Sequence, residues 1–442
     1  MSHPIKYLIC LSVVAVFAGT SSGQTFQSYF TGDAKDTITM ANGGICLMGG
    51  ASEDDEAMRW FLEQANGGDV LVLRASGSDG YNAYFFSELG VALNSVETIV
   101  FQNATASQEA YIHQRIRQAE AIWFAGGDQW KYVSYWRNSP IDSLINQAIR
   151  ERNIVIGGTS AGMAILGQFY FTAERGTIRS EGALANPFDS RVTLSNEPFL
   201  DLDILQSVIT DTHFDDPDRK GRLVTFMSRI YEEHQLSARA IACDEYTAVC
   251  IAPDGTASVF GGYPEHEDYA YFVQVNCQHQ NGGPETLEPA VALTWRQGGN
   301  ALKAYRVAGT STGNHTFDLL NWQSGNGGTW WNWQVDAGIF SETQGSALNC
   351  SPLSTTDTKS NLAFEIYPNP TSGLLEIKSP KDHWLGNSIL LIDVSGRKHP
   401  LSGIKQSPTR WTFDVSELPK GLYYITLATR SKHTRTLRFV KQ

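Results

Sequence analysis

An α/β sandwich on a parallel sheet, followed by a small antiparallel β-sandwich, is the fold class that this 442-residue sequence predicts. Three observations lead there. From Gly43 to Gly158, short apolar runs alternate with amphipathic stretches, the pattern of strands covered on both faces by helices. Two of those runs end in glycine-rich turns, "AGGDQ" and "GGTSAG", of the kind that joins a strand to the next helix and carries ligands in such sheets. Beyond residue 361 the helical pattern vanishes, and about eighty residues read as short strands with regularly spaced turn signals.

The elements follow in order. Residues 1–23 read as an export signal: Lys6 is the charge, Leu8 to Ala18 is apolar, and Ser21, Ser22 and Gly23 are small, so cleavage is expected before Gln24. The apolar part is too short to span a bilayer, no later segment is long enough, and Cys10 lies too early to carry a lipid. "GICLMGG" is a buried-type strand. "SEDDEAMRWFLEQANGG" is a helix with Ser52 as candidate cap, acidic residues in its first turn and Gly67 as its stop. "DVLVLRAS" and "VETIVFQN" are strands, "SQEAYIHQRIRQAE" is a helix, and "AIWFAGGDQ" is a strand running into a glycine turn. "SPIDSLINQAIRERN" is a helix opened by Pro140, and "IVIGG" is the next strand.

After Asp244 the pattern becomes hairpins. "YTAVCIAPDGTASVFGG" turns at Pro-Asp-Gly, and "ALTWRQGGNALKAYRVAG" reads as a further strand pair. Trp322, Trp330, Trp331 and Trp333 crowd a Gly- and Asn-rich stretch, which reads as an aromatic-packed appendage over about 281–350 or, alternatively, as a stacking surface for a ligand. Residues 351–361 have the composition of a linker, and 362–442 form the second domain.

Charge and cysteines bound the function. The segment 24–350 carries 20 basic against 39 acidic residues, and 351–442 carries 13 basic against 7 acidic. An acidic domain argues against nucleic acid as a partner and mildly favours cationic ligands, or else serves solubility outside the cell. Cys46, Cys243, Cys250, Cys277 and Cys350 remain after the leader, an odd number in a compartment that permits disulfides; Cys277–Cys350 and Cys243–Cys250 are two candidate pairings. No spacing of Cys and His resembles a metal site, and no cofactor is expected.

The chemistry centres on Gly158-Thr159-Ser160-Ala161-Gly162. Small residues on both sides let a strand turn sharply into a helix, so the serine projects from a strained elbow and the helix directs its amino end toward an anion formed there. A nucleophilic serine needs a base and an acid to orient it. His213, in "VITDTHFDDPDRKGRL", follows an apolar strand amid charged residues. "IACDEYTAV" offers Asp244 and Glu245 at the end of another strand. The order Ser, His, acid differs from that of the α/β-hydrolases and argues against an esterase of that fold.

"AGGDQ", "GGTSAGM", "DTHF…R..GRL" and "CDEYTAV" together resemble the cyanophycinases of peptidase family S51, which also contains dipeptidase E. The resemblance covers about Gly43 to Gly262. It implies a class I glutamine amidotransferase-like (flavodoxin-like) sandwich and a serine exopeptidase acting on β-aspartyl or other Asp-containing peptides. It also implies Ser160 as nucleophile, His213 as base and Glu245 as orienting acid. The backbone N–H groups of Asp128 and Ala161 would be oxyanion donors, and Gln129, Asp211, Arg219 and Arg222 would bind substrate. Thr212 and Pro217 stand where those enzymes carry a glutamine and an arginine, which bears on whether cyanophycin itself is cleaved. The tail motifs "YPNPTSGLLEI", "IDVSGR" and "LPKGLYYITL" resemble the type A C-terminal sorting domain of the type IX secretion system. They imply that machinery as a partner and a secreted or surface-held product. The oligomeric state is left open, a homodimer being one option. The alternative function is a surface binding protein with a decayed site, using its tryptophans.

Overall fold

The computed structural model describes residues 24–279, 282–350, 365–378, 384–393, 397–399, 403–407, 410–429 and 434–442. The expected export signal and linker lie outside them. The chain divides into two compact units between Asn349 and Cys350.

The strands of the first unit, in chain order, are β1 (Phe26–Gly32), β2 (Ile45–Met48), β3 (Asp69–Arg74), β4 (Ser95–Phe101), β5 (Ala121–Phe124), β6 (Val155–Thr159), β7 (Tyr170–Phe171), β8 (Leu194–Ser195), β9 (Val208–Asp211), β10 (Arg239–Cys243), β11 (Ala248–Ile251), β12 (Thr256–Phe260), β13 (Tyr269–Val275), β14 (Leu302–Ala308), β15 (His315–Asp318), β16 (Gly325–Asn326), β17 (Gly328–Asp336) and β18 (Ile339–Gln344). Its helices are α1 (Asp55–Glu63), α2 (Gly80–Ala83), α3 (Ala110–Gln118), α4 (Gln129–Trp136), α5 (Pro140–Arg152), α6 (Ala161–Ala164), α7 (Ser180–Ala185) and α8 (Lys220–His234).

A ten-stranded sheet has the order β1-β4-β3-β5-β6-β2-β11-β12-β15-β16. Its heart, β4-β3-β5-β6-β2, is parallel, as the alternating pattern predicts. Both faces are covered, so neighbouring residues of one strand enter different cores: Ile45 and Leu47 join one apolar cluster, Cys46 and Met48 the other. Asp54 caps α1 by accepting the Ala57 N–H at 2.9 Å, the role expected of Ser52. Ser139 caps α5 in front of Pro140, whose missing N–H costs nothing at that position.

A six-stranded sheet, β18-β17-β14-β13-β10-β9, completes the unit; only its β9/β10 pair is parallel. The Trp-rich stretch is not an appendage. β15 and β16 extend the ten-stranded sheet, β17 and β18 extend the six-stranded one, and Trp322 and Trp333 are fully buried. The strand pair expected in 292–309 is a single strand, β14, with isolated bridges at Thr294 and Trp295. Cys277 and Cys350 are disulfide-bonded. Cys243 and Cys250 are free: β10 and β11 lie in different sheets, so the turn between them is not the hairpin that pairing needs.

The second unit holds two four-stranded antiparallel sheets. Their strands are β19 (Glu365–Tyr367), β20 (Leu374–Lys378), β21 (Trp384–Asp393), β22 (Lys398–His399), β23 (Gly403–Ser407), β24 (Arg410–Asp414), β25 (Gly421–Thr429) and β26 (Thr434–Lys441), in the orders β19-β20-β24-β23 and β22-β21-β25-β26. Leu375 and Phe413 of one sheet and Leu391, Ile425 and Phe439 of the other share a core, which makes a sandwich.

Candidate active site

Four strand ends of the first unit converge. β6 of the large sheet runs into Ser160, and β5 runs into Gly126-Gly127-Asp128 beside it. β9 and β10 of the smaller sheet deliver His213 and Glu245. Ser160 has φ 51° and ψ −113°, a conformation that costs a non-glycine residue on the order of 1–3 kcal/mol. Its flanking glycine is needed because a Cβ on Gly162 would lie 2.0 Å from the Phe124 carbonyl oxygen. That is the physical content of the G-x-S-x-G spacing here: helix α6 starts against the neighbouring strand.

Ser160 Oγ lies 2.8 Å from His213 Nε2, and His213 Nδ1 lies 2.5 Å from Glu245 Oε1. The structure thus brings together the serine, the histidine and the second of the two adjacent acids. Asp244 points elsewhere. It is buried, its Oδ2 accepts the Tyr269 N–H at 3.2 Å, and burial with the nearby Asp215 charge pushes its pKa up to about 8. Asp128 caps α4 and Ala161 opens α6, so both backbone N–H groups stand where no intrahelical acceptor exists. Gly126 adjoins the serine, since a Cβ there would lie 3.6 Å from that of Ser160.

The end of β2 organises the site, a role absent from the sequence-based candidates. The Met48 carbonyl accepts the N–H of Ser160, the Gly49 carbonyl that of His213, and the Gly50 carbonyl that of Tyr246, at 3.0, 3.0 and 3.1 Å. One extended segment therefore sets the heights of Ser160, His213 and Tyr246, the residue after Glu245. The glycine pair closing "GICLMGG" is the one sequence signal that could have flagged it.

The remaining candidates separate. Arg222 is 3% exposed and grips Asp211 with two N–H groups, the Nε one at 3.0 Å; its Nη1 donates to Thr177 Oγ1 and the Ile178 carbonyl, both at 3.3 Å. The expectation that Arg222 and Asp211 face a ligand is corrected by this pairing: each occupies the other inside the core, where an unpaired charge is costly. Arg219 is half-buried and donates to the Thr212 carbonyl at 2.8 Å; burial, aided by the charge of Arg222, draws its pKa down to about 10. Gln129 begins α4 and its Nε2 reaches the Phe171 carbonyl at 3.5 Å. Beside Tyr246, the residue after Glu245, a cleft of about 640 Å³ is lined by six acidic residues, Glu53, Asp54, Asp55, Asp215, Glu267 and Asp268, together with Tyr246, Gly262 and His266. No cluster of metal-ligating side chains occurs among the described residues.

Comparison with known proteins shows what the chain is similar to. Residues 47–258 match the family model described as Peptidase family S51, and residues 365–442 match the Secretion system C-terminal sorting domain. The chain is 27% identical over 229 residues to a cyanophycinase of Synechococcus elongatus, covering 49% of this chain and 66% of that protein. It is 24% identical over 227 residues to one of Trichormus variabilis, covering 49% and 70%. The match thus takes in just under two thirds of the first relative's length. Among solved structures, a peptidase from an acI-B1 Actinobacterium aligns at 16% identity and TM-score 0.39, over 52% of this chain and 91% of that one. A putative peptidase E from Listeria monocytogenes aligns at 16% and 0.31, over 50% and 98%.

Proposed function

We propose, for a chain whose residues 47–258 belong to peptidase family S51 and whose residues 365–442 are a secretion sorting domain, that the first unit is a serine peptidase working outside the cytoplasm by an acyl-enzyme mechanism. One observation carries the reading: the continuous hydrogen-bonded line Ser160 Oγ–His213 Nε2 and His213 Nδ1–Glu245 Oε1, with the serine on a strained elbow.

In this mechanism Ser160 Oγ attacks the scissile carbonyl and His213 Nε2 takes its proton. Glu245 holds the Nδ1 proton in place and stabilises the imidazolium that forms. The Asp128 and Ala161 N–H groups receive the oxyanion; removing one such donor typically costs about 100- to 1000-fold in rate. His213 then protonates the leaving amine. A water, deprotonated by the same nitrogen, releases the acyl group and restores the serine. Two observations favour this reading over a decayed site: the hydrogen-bonding distances along Ser160, His213 and Glu245, and the burial of Trp322 and Trp333 in the core, with Trp330 and Trp331 half-buried against it.

Asp-containing peptides are the proposed substrates. The relatives named cyanophycinase favour such a class. Arg219 is the candidate guanidinium left to meet a substrate carboxylate once Arg222 is assigned to Asp211, and Gln129, at the start of α4, is the candidate amide. The acidic cleft beside Tyr246 supports a basic group elsewhere on the same substrate. The test is hydrolysis of cyanophycin and of α- and β-aspartyl peptides, with and without a basic residue, followed by mass spectrometry. Ser160→Ala serves as control and should lower turnover on the order of 10⁵- to 10⁶-fold while leaving the fold intact. Full activity in that variant would refute the mechanism. Indifference to the aspartyl residue would refute the substrate class alone.

A further inference from the structure

Three thiols of the first unit take no part in the proposed catalysis. Cys46, Cys243 and Cys250 are all buried and free, in a chain that already holds disulfide-bonded cysteines at 277 and 350. Two of the three stand in a special relation. Cys46 on β2 and Cys250 on β11 are directly opposed in an antiparallel pair, and their sulfurs lie 3.6 Å apart. Hydrogen-bonded and non-hydrogen-bonded pairs alternate along such a ladder. Gly49 N–H bonds to the Thr247 carbonyl at 2.9 Å, so the pair three steps back, Cys46 with Cys250, is a non-hydrogen-bonded one. In those pairs the α-carbons approach to about 4.5 Å, which lies within the span of roughly 4.4–6.8 Å that a disulfide requires.

The opposition is not a loose-edge accident. β2 and β11 are interior strands, and slipping either by one residue would move Cys46 and Met48 out from under α1 and put Ile45 and Leu47 there instead. Cys243 belongs to the opposite core and contacts the Leu47 carbonyl at 3.8 Å, so it is not a competing partner in this register.

We propose that Cys46 and Cys250 are a modification site: they close a cross-strand disulfide when the chain folds in an oxidising compartment. A thiolate of one cysteine attacks a low-molecular-weight disulfide and expels one small thiol. The thiolate of the second then attacks the mixed disulfide at the cysteine sulfur and expels the other. Two thiols lose two protons and two electrons, and the small disulfide is reduced to two small thiols. The step belongs to folding. Once α1 covers the sheet, both sulfurs are sealed from solvent, and burial pushes the Cys250 thiol up, leaving little thiolate to react. The bond would tie together the two strands whose neighbouring ends, Gly49-Gly50 and Glu245-Thr247, hold the His213–Glu245 pair.

The experiment counts thiols. The unfolded, reduced chain from Gln24 onward is refolded in a buffer of reduced and oxidised glutathione. It is then denatured without reductant, alkylated with iodoacetamide and digested for mass spectrometry. The expected result is a Cys46–Cys250 linked peptide with Cys243 alkylated. Alkylation of Cys46 and Cys250 alongside Cys243 overturns the proposal, and so does either of them linked to Cys243. The wild-type chain alone decides the matter. A Cys46→Ser chain, if it folds, should leave Cys250 alkylated. The outcome is independent of whether Ser160 is a nucleophile.

Discussion

Gly50 lies so close beneath the imidazole of His213 that a Cβ on it would stand 2.4 Å from both Cε1 and Nε2. Its φ of +132° adds a conformation that side chains rarely adopt. Gly50→Ala should therefore push the ring off Ser160, or distort the carbonyl that holds Tyr246, without removing any group of the proposed triad. We expect kcat/KM to fall at least 100-fold with KM little changed. Steady-state kinetics beside a circular-dichroism spectrum check this. Wild-type activity in a folded variant would contradict the packing argument.

Glu245 contacts His213 only through Nδ1, so its part is to orient and charge-balance the ring. Glu245→Gln keeps the shape and removes the charge. Turnover should drop on the order of 10³-fold while the fold stays intact, which steady-state kinetics beside a circular-dichroism spectrum would check. Wild-type turnover in a folded variant would mean that Glu245 does not hold the base.

Arg222 and Asp211 are 3% exposed each. Removing one leaves the other charged and buried, which typically costs about 3–5 kcal/mol of stability. Arg222→Ala should thus show itself in denaturant unfolding. Asp211→Asn combined with it should recover part of the loss, because no lone carboxylate remains. A variant of native stability with a raised KM would return Arg222 to the substrate.

Asp244 sets a pH dependence of stability. Its ordinary value is 3.8, and in the fold burial and Asp215 raise it to about 8. Between those values the folded state keeps a proton that the unfolded chain has released. The contribution is therefore complete below about pH 4 and is lost progressively as pH rises toward 8. Asp244→Asn should flatten the decline of Tm across that window, so that the variant gains on the wild type as pH increases. Glu120, raised by burial to about 7, remains and leaves a residual slope. Parallel Tm curves would show that Asp244 is charged throughout.

Much of the site was legible in the sequence because its signals are local. An elbow needs small residues within two positions of its serine, and Gly158 to Gly162 state that need directly. The strands into Gly126, Ser160, His213 and Glu245 announce themselves as apolar runs ending in polar or glycine residues. Asp244 and Glu245 were separable only by resemblance, since neighbouring residues at a strand end point opposite ways and the pattern does not say which faces the histidine. Arg222 misled for a related reason. A charged residue near a base reads as exposed, yet position 222 turns inward on α8, and its partner Asp211 lies on a different element.

The sequence by itself determined the alternation of strands and helices, the elbow at Ser160, the hairpin of β11 and β12, and the change of fold type in the tail, because each rests on periodicity or on turn residues within a few positions. Only the tertiary structure decided that the hydrogen-bonded line of Ser160, His213 and Glu245 straddles two sheets, that the end of β2 bonds Ser160, His213 and Tyr246 in succession, that the tryptophan stretch extends both sheets, and that Cys46 faces Cys250. Those relations join residues tens to hundreds of positions apart. They depend on strand order and register, which the packing of apolar faces sets for the chain as a whole.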